Sequence, residues 1–160
     1  GLFEQMLRDT LDPLRLYLKN IEQPKKSNAK PKSVSLEDFM RLYYRIIASN
    51  PELPKLILRV MSDNSAVQRT MIEAVVGELI GKVQRQVFEN PLLTSELRPG
   101  VNVASSKMTV LSLMLFPFLI PDSLVKLHGF SMDEASLLSL LDHNIDVLRN
   151  GLFCSHEEGV

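Results

Sequence analysis

The sequence has no tryptophan and a single cysteine, Cys154, among its 160 residues. One cysteine cannot form a disulfide within the chain, and its isolation fits a protein of the reducing cytoplasm. The longest run without a charged residue extends from Met108 to Pro121, whereas a membrane-spanning helix needs about 20 apolar residues. These shortages argue against a disulfide-stapled scaffold and against a membrane partner.

Net charge is also nearly absent. The formal charge is -1, so the chain has no excess of positive charge for binding a polyanion. Charged side chains at Glu4, Arg8 and Asp9 interrupt the apolar core that a secretory signal would need. Hydrophobic residues make up 45% of the chain and charged residues 23%, as in soluble globular domains. We therefore expect residues 1–160 to form one domain.

Apolar residues recur at helical spacing along most of the chain, and no segment shows the alternation of a β-strand. The pattern predicts an all-α fold, a helical bundle of about six helices. These helices are expected at residues 2–20, 35–49, 52–61, 66–89, 103–116 or slightly beyond, and 131–150. Polar segments are expected between them at 21–33, 63–65, 91–102 and 121–131, followed by a frayed tail that contains His156.

Two predicted helices begin at capping signals. Ser35 is followed three residues later by Asp38, and Ser131 is followed three residues later by Glu134. In such a pair the hydroxyl accepts a hydrogen bond from a free backbone N–H, and the carboxylate lies at the positive end of the helix. We therefore expect the second helix to begin at Ser35 and the sixth near Ser131.

Prolines and glycines stand inside several predicted helices. Pro13 is expected to kink the first helix, and Pro117 and Pro121 are expected to limit the fifth. Gly77 and Gly81 lie one turn apart in the fourth helix, where each costs about 1 kcal/mol relative to alanine. Their retention favours close packing of a neighbouring helix, and the alternative is room for a ligand against the bare backbone.

The fifth and sixth predicted helices carry more apolar surface than a small bundle can easily cover. The fifth helix is apolar nearly all round, and the apolar face of the sixth is wide. Packing against a second copy would cover both helices in a four-helix intersubunit bundle, and the alternative is a helix buried centrally in a monomer. The expected dimer interface comprises Leu113, Met114, Leu137, Leu141, His143, Ile145 and Leu148.

Side chains that could perform catalysis are sparse. His128, His143 and His156 have no histidine or cysteine partner at the spacing of metal ligands. No glycine-rich phosphate loop and no nucleophile elbow occurs. A local pair of Cys154 and His156 is conceivable, but a free surface thiol is the simpler interpretation. The sequence therefore predicts a binding protein without a cofactor or metal, and not an enzyme.

Four segments, in order, resemble the C-terminal domain of the tetracycline repressor (TetR/AcrR) family. They correspond to the helix after the DNA-binding headpiece, a turn between effector-domain helices, the turn before the first dimerisation helix, and the end of the second. The matching stretches are Leu2-Phe3-Glu4-Gln5-Met6-Leu7, Asn50-Pro51-Glu52-Leu53-Pro54-Lys55-Leu56-Ile57-Leu58-Arg59, Glu96-Leu97-Arg98-Pro99-Gly100-Val101-Asn102, and Asp142-His143-Asn144 through Leu148-Arg149-Asn150-Gly151-Leu152.

This resemblance implies a homodimeric transcriptional regulator, a repressor in preference to an activator. Operator DNA would be contacted only through a helix-turn-helix domain expected upstream of Gly1, where the sequence begins inside a helical pattern without a cap. The segment 21–33 is longer than the family usually has. A hydrophobic or amphipathic small molecule would bind in the domain itself and shift the spacing of the two DNA-binding heads.

An apolar pocket between helices, with a few polar groups, is the expected effector site. Methionine adapts to the shape of a ligand, and tyrosine adds a hydrogen bond to a flat apolar face. The candidate lining residues are Met40, Tyr43, Tyr44, Met71, Val75, Met108 and Leu111, which could instead be ordinary core residues. A helical protein–protein interaction module without a pocket and a bundle that binds lipid or acyl chains are the alternative functions.

Overall fold

A computed structural model describes residues 1–22, 35–62, 66–90 and 96–154. Within these ranges the chain forms seven α-helices and no β-strand, so the predicted all-α bundle is confirmed. The helices are α1 (Leu2–Glu22), α2 (Leu36–Ala48), α3 (Leu53–Ser62), α4 (Ala66–Val83), α5 (Val103–Leu119), α6 (Asp122–Leu127) and α7 (Glu134–Leu152), with a π-helical turn (Gln84–Phe88) continuing α4.

Several predicted connections lie outside the described residues. These are most of the polar segment 21–33, the break at 63–65, the first part of the segment 91–102, and the tail with His156. The described part of the connection before α5 lies against the end of α7. The backbone N–H of Arg98 donates to the carbonyl of Leu152 at 2.8 Å, and the N–H of Cys154 donates to the carbonyl of Glu96 at 2.8 Å.

One of the two predicted caps is confirmed and the other is wrong. The hydroxyl of Ser35 accepts a hydrogen bond from the backbone N–H of Asp38 at 3.3 Å and caps α2. At α7 the cap is Asp133, whose carboxylate accepts from the backbone N–H of Ser136 at 2.8 Å. Ser131 instead donates its hydroxyl to Asp133, because a carboxylate is the stronger acceptor at the positive end of a helix.

The predicted turn at 121–131 contains a helix that the sequence pattern missed. Pro121 precedes α6, and Gly129 ends it with a positive φ of 67°, a backbone conformation that glycine adopts without steric cost. The ammonium of Lys55 on α3 contacts the carboxylate of Asp122 at 2.9 Å. This exposed ion pair links α3 to α6 and contributes little to stability.

The hydrophobic core is built around α2, which contacts α1, α5 and α7. Each of these helices contributes an apolar stripe with helical spacing to the core. On α7 the stripe is buried, and both α2 and α5 pack against that helix. The fully or nearly fully buried members include Leu7, Leu11, Leu14, Leu18, Phe39, Met40, Tyr44, Ile47, Leu137, Leu141, Ile145 and Leu148.

No helix of the described residues packs closely against the glycines of α4. Within those residues, a Cβ added to Gly77 would meet no atom within 4 Å, and one added to Gly81 would meet the Arg85 side chain at 3.4 Å. The predicted packing of a neighbouring helix at this position is therefore not found in the described part of the chain, where Gly77 is exposed.

Candidate ligand-binding groove

A groove of about 360 Å³ opens between the second half of α5, the short helix α6 and the first half of α7. Its volume lies in the range of small-molecule sites, roughly 300–1,000 Å³. The walls are mostly aliphatic and aromatic, and polar atoms come from one serine, one histidine and one asparagine. The lining residues are Ser112, Leu113, Phe116, Pro117, Ile120, Leu124, Val125, His128, Phe130, Met132, Leu140 and Asn144.

The polar residue beneath this groove is Asn144, which is only 5% exposed. Its side-chain amide donates a hydrogen bond to the hydroxyl of Tyr44 at 3.2 Å, and that hydroxyl donates to the backbone carbonyl of Leu113 at 2.6 Å. The two bonds join α7, α2 and α5 in one chain. A buried amide without such partners would cost free energy, so this arrangement fixes the side chain in place.

Pro117 explains why the carbonyl of Leu113 accepts a hydrogen bond from a side chain. In a regular helix that carbonyl would accept from the backbone N–H four residues later, but proline has no N–H. The helix continues through Pro117 to Leu119, slightly beyond Phe116 as predicted, and Pro121 rather than Pro117 limits it. The hydroxyl of Tyr44 takes the place of the missing donor.

Aromatic contacts hold Tyr44 in the position that this bond requires. Its ring packs edge-on against Phe118 with centroids 5.2 Å apart, and Tyr43 packs edge-on against both, at 6.1 Å from Tyr44 and 6.0 Å from Phe118. Burial raises the pKa of the Tyr44 hydroxyl, while the hydrogen bond from Asn144 acts in the opposite direction. The hydroxyl therefore stays protonated and able to donate.

Exposed ion pairs connect α2 to the outer side of α7. The guanidinium of Arg41 contacts the carboxylate of Asp142 at 2.7 Å and that of Glu37 at 3.0 Å. Arg149 on α7 also pairs with Glu37. Such exposed pairs contribute little stability individually, and here they bridge the same two helices that Tyr44 and Asn144 join.

Neither the groove nor the cavity at the other end of α5, both formed by described residues, brings the predicted effector residues together. Met40, Tyr44 and Val75 are buried in the core, Tyr43, Met71 and Leu111 are half-buried, and Met108 is 62% exposed on α5. None of the seven lines the groove, although Tyr44 bonds to Asn144 beneath it. A second cavity, of about 20 Å³, lies at the other end of α5 between Val103, Lys107 and Phe153, and it too involves none of them.

The residues predicted for the dimer interface are mostly inside the single chain. Met114, Leu137, Leu141, Ile145 and Leu148 are buried, because α2 covers the stripe of α7 and contacts α5. Their apolar character therefore reports the core of one chain and is not evidence of excess surface. Of the other two predicted residues, His143 is exposed and Leu113 lines the groove.

Other apolar side chains remain exposed on these helices. On α5, Met108, Leu115 and Phe116 are exposed by 62%, 42% and 60%, and on α7 Val147 is exposed by 48%. The two helices run antiparallel, because Val103 and Lys107 lie near Leu152 at one end while Phe116 lies near Leu140 at the other. We call α5 and α7, together with these exposed side chains, the α5–α7 face.

Sequence reasoning missed Asn144 as a site residue, although a signal for it was present. It follows Leu137 and Leu141 and precedes Leu148 on the buried stripe of α7, where a polar residue must find a partner. The contributions of Phe130 and Met132 could not be predicted, because they depend on where α6 directs the chain.

Comparison with known proteins finds neither a matching family model nor a curated relative for this chain. The resemblance to the tetracycline repressor family thus stays a prediction. None of the helices in the described residues is long and apolar enough to cross a bilayer. Across the same residues, no group of three or more histidine, cysteine, aspartate or glutamate side chains is placed to hold a metal ion.

Proposed function

We propose that the chain is the ligand-sensing and dimerisation domain of a transcriptional regulator similar to the tetracycline repressor family. The observation that carries this proposal is the groove between α5, α6 and α7, because it combines apolar walls with a buried and oriented amide. A hydrophobic or amphipathic small molecule fits such a site. The all-α bundle and the order of the resembling segments are consistent with it.

The α5–α7 face supports the dimerisation part of the proposal. Two antiparallel helices with exposed apolar side chains form a four-helix bundle when a second copy packs on them with two-fold symmetry. The groove lies beside this face, since Phe116 is both exposed and part of the lining. A ligand in the groove would therefore change the geometry of the contact between the two copies. In this proposal the operator DNA is read by a separate helix-turn-helix domain.

The groove can be tested with the uncharged apolar dye N-phenyl-1-naphthylamine and a variant that fills it. Ser112 is exposed and lines the groove, so Ser112→Trp should occupy the space and remove most of the saturable dye fluorescence. The matched control is Ser105→Trp, an exposed position two turns earlier on the same helix that does not line the groove. Equal dye binding by wild type and both variants, with unchanged helical circular dichroism, would contradict the proposed site.

A protein–protein interaction module is the second candidate, and the exposed apolar side chains of the α5–α7 face favour it. In that case the face would bind a different protein and the groove would bind no small molecule. The two candidates differ in the dye experiment, because an interaction module gives no saturable binding that Ser112→Trp removes.

A further inference from the structure

The hydrogen bonds beneath the groove determine which way the amide of Asn144 is turned. The hydroxyl of Tyr44 commits its single hydrogen to the carbonyl of Leu113, at 2.6 Å. Its oxygen can then only accept from Asn144, and the only donor of an asparagine side chain is Nδ2. The amide nitrogen therefore faces Tyr44 at 3.2 Å, and the oxygen Oδ1 lies at the other corner of the planar amide, directed away from the Tyr44 hydroxyl.

The described lining of the groove holds no lysine or arginine. His128 is its one ionisable side chain, and Ser112 supplies a hydroxyl whose hydrogen is donated to the carbonyl of Met108 at 2.8 Å. A carboxylate or sulfonate in the groove would lose its hydration next to an acceptor oxygen, without a permanently charged partner. A hydroxyl group, in contrast, offers the hydrogen that Oδ1 can accept.

We infer that the groove selects an uncharged, mainly apolar molecule with a hydroxyl group, whose hydrogen is accepted by Oδ1 of Asn144. This inference rests on the proposed function, because it names the ligand class of the same groove. Asn144 is then the specificity-determining residue, and Tyr44 is a positioning residue that acts through it. Pro117 belongs to the same hydrogen-bond arrangement, because its missing N–H leaves the carbonyl of Leu113 free to accept from Tyr44.

Three probes of nearly equal shape separate these chemistries, namely 2-naphthol, 2-methylnaphthalene and 2-naphthoate. Equilibrium dialysis measures the binding of each probe to the full chain, without optical interference from the 3 tyrosines of the chain or from the tryptophan introduced in Ser112→Trp. A net hydrogen bond is worth about 0.5–1.5 kcal/mol, so 2-naphthol should bind roughly 2- to 10-fold tighter than 2-methylnaphthalene. The carboxylate should bind more weakly than both.

The direction of this difference is diagnostic. A featureless apolar surface would prefer 2-methylnaphthalene, because it is the most hydrophobic of the three probes. Binding of 2-methylnaphthalene or 2-naphthoate as tight as that of 2-naphthol would overturn the inference and leave the proposed function intact. If no probe shows binding that Ser112→Trp removes, both the proposed function and the inference are wrong.

Variants test the roles of Asn144 and Tyr44 through one ratio, the affinity for 2-naphthol divided by the affinity for 2-methylnaphthalene. Asn144→Leu should abolish the preference for 2-naphthol and retain binding of 2-methylnaphthalene. Tyr44→Phe should reduce the same ratio while binding of 2-methylnaphthalene is unchanged, because the amide of Asn144 is then free to turn. A merely structural role of Tyr44 would lower both affinities together.

His128→Leu is the matched control, because it removes the imidazole, another side chain of the groove lining that can accept a hydrogen bond. The preference for 2-naphthol should survive this change. If the preference is lost in His128→Leu and kept in both Asn144→Leu and Tyr44→Phe, the acceptor is the imidazole and the assignment to Asn144 is wrong.

Discussion

At the scale of single residues, the hydroxyl of Tyr44 connects three helices through two hydrogen bonds, to Leu113 and from Asn144. Removing a hydroxyl that satisfies two buried groups leaves both without a partner, which costs about 1–3 kcal/mol. We therefore expect Tyr44→Phe to lower the free energy of unfolding by that amount in urea titrations. Tyr17→Phe, at a half-buried tyrosine of α1, is the control and should cost less.

The free-energy cost of Tyr44→Phe should depend on Pro117, because this proline has no backbone N–H. Pro117→Ala restores the backbone donor to the carbonyl of Leu113, so this carbonyl no longer relies on Tyr44. In a double-mutant cycle, Tyr44→Phe should therefore cost less in the Pro117→Ala background, with a coupling on the order of 0.5–1 kcal/mol. Additive effects of the two substitutions would show that the proline and the hydroxyl are independent.

Asp133 provides a prediction about pH. Its pKa lies below the ordinary value of 3.8, first because Ser131 donates a hydrogen bond to it and then because Ser136 does so at the start of α7. A carboxylate with a lowered pKa in the folded state stabilises the fold above its unfolded pKa, and this contribution is lost as the pH falls through the folded value. Asp133→Ala should thus lower Tm at neutral pH, and the difference from wild type should shrink in acid below 3.8.

The control for Asp133→Ala is an aspartate that caps no helix. Asp12 is exposed inside α1, so Asp12→Ala should change Tm little across the same pH range. A Tm difference for Asp133→Ala that persists unchanged to the lowest pH would mean that the carboxylate charge is not what stabilises the start of α7.

At the scale of elements, helical periodicity predicted where the long helices lie but not which of their faces are free. The predicted dimer surface includes the stripe of α7 with Leu137 and Leu141, and the structure buries this stripe inside the chain, against α2. Periodicity identifies an apolar face, but the partner of that face depends on contacts between residues far apart in the sequence. The groove was missed for the same reason, since α6 defines one wall and its 6 residues are too few to show a period.

A substitution at Gly77 tests whether another molecule or segment covers the exposed side of α4. A Cβ at this position meets no atom within 4 Å, so Gly77→Ala should raise the free energy of unfolding by about 1 kcal/mol through helix propensity alone. At Gly81 the added carbon makes an ordinary contact of 3.4 Å with the flexible end of the Arg85 side chain, so alanine should give a similar gain there. A destabilised Gly77→Ala would show that something packs against this backbone, contrary to the open space of the single chain.

At the scale of the whole molecule, the apolar side chains that remain exposed on α5 and α7 determine the oligomeric state that we expect. A stable symmetric dimer buries roughly 1,200–2,000 Å² in total, and its centre is typically apolar and free of charge. Leu115 is 42% exposed on the α5–α7 face, so Leu115→Lys places an ammonium in the proposed contact without entering the core. We expect the wild-type chain to sediment as a dimer at micromolar concentration and the variant to sediment as a folded monomer.

The matched control is Leu58→Lys, which makes the same change at a leucine that is 51% exposed on α3 and outside this face. It should remain a dimer with the same helical circular dichroism. Leu141→Arg is not a suitable probe, because Leu141 is fully buried in the chain's own core and a charge there would unfold the monomer. A wild-type chain that sediments as a monomer would remove dimerisation from the proposed function, whereas dissociation by Leu58→Lys alone would move the contact to another face.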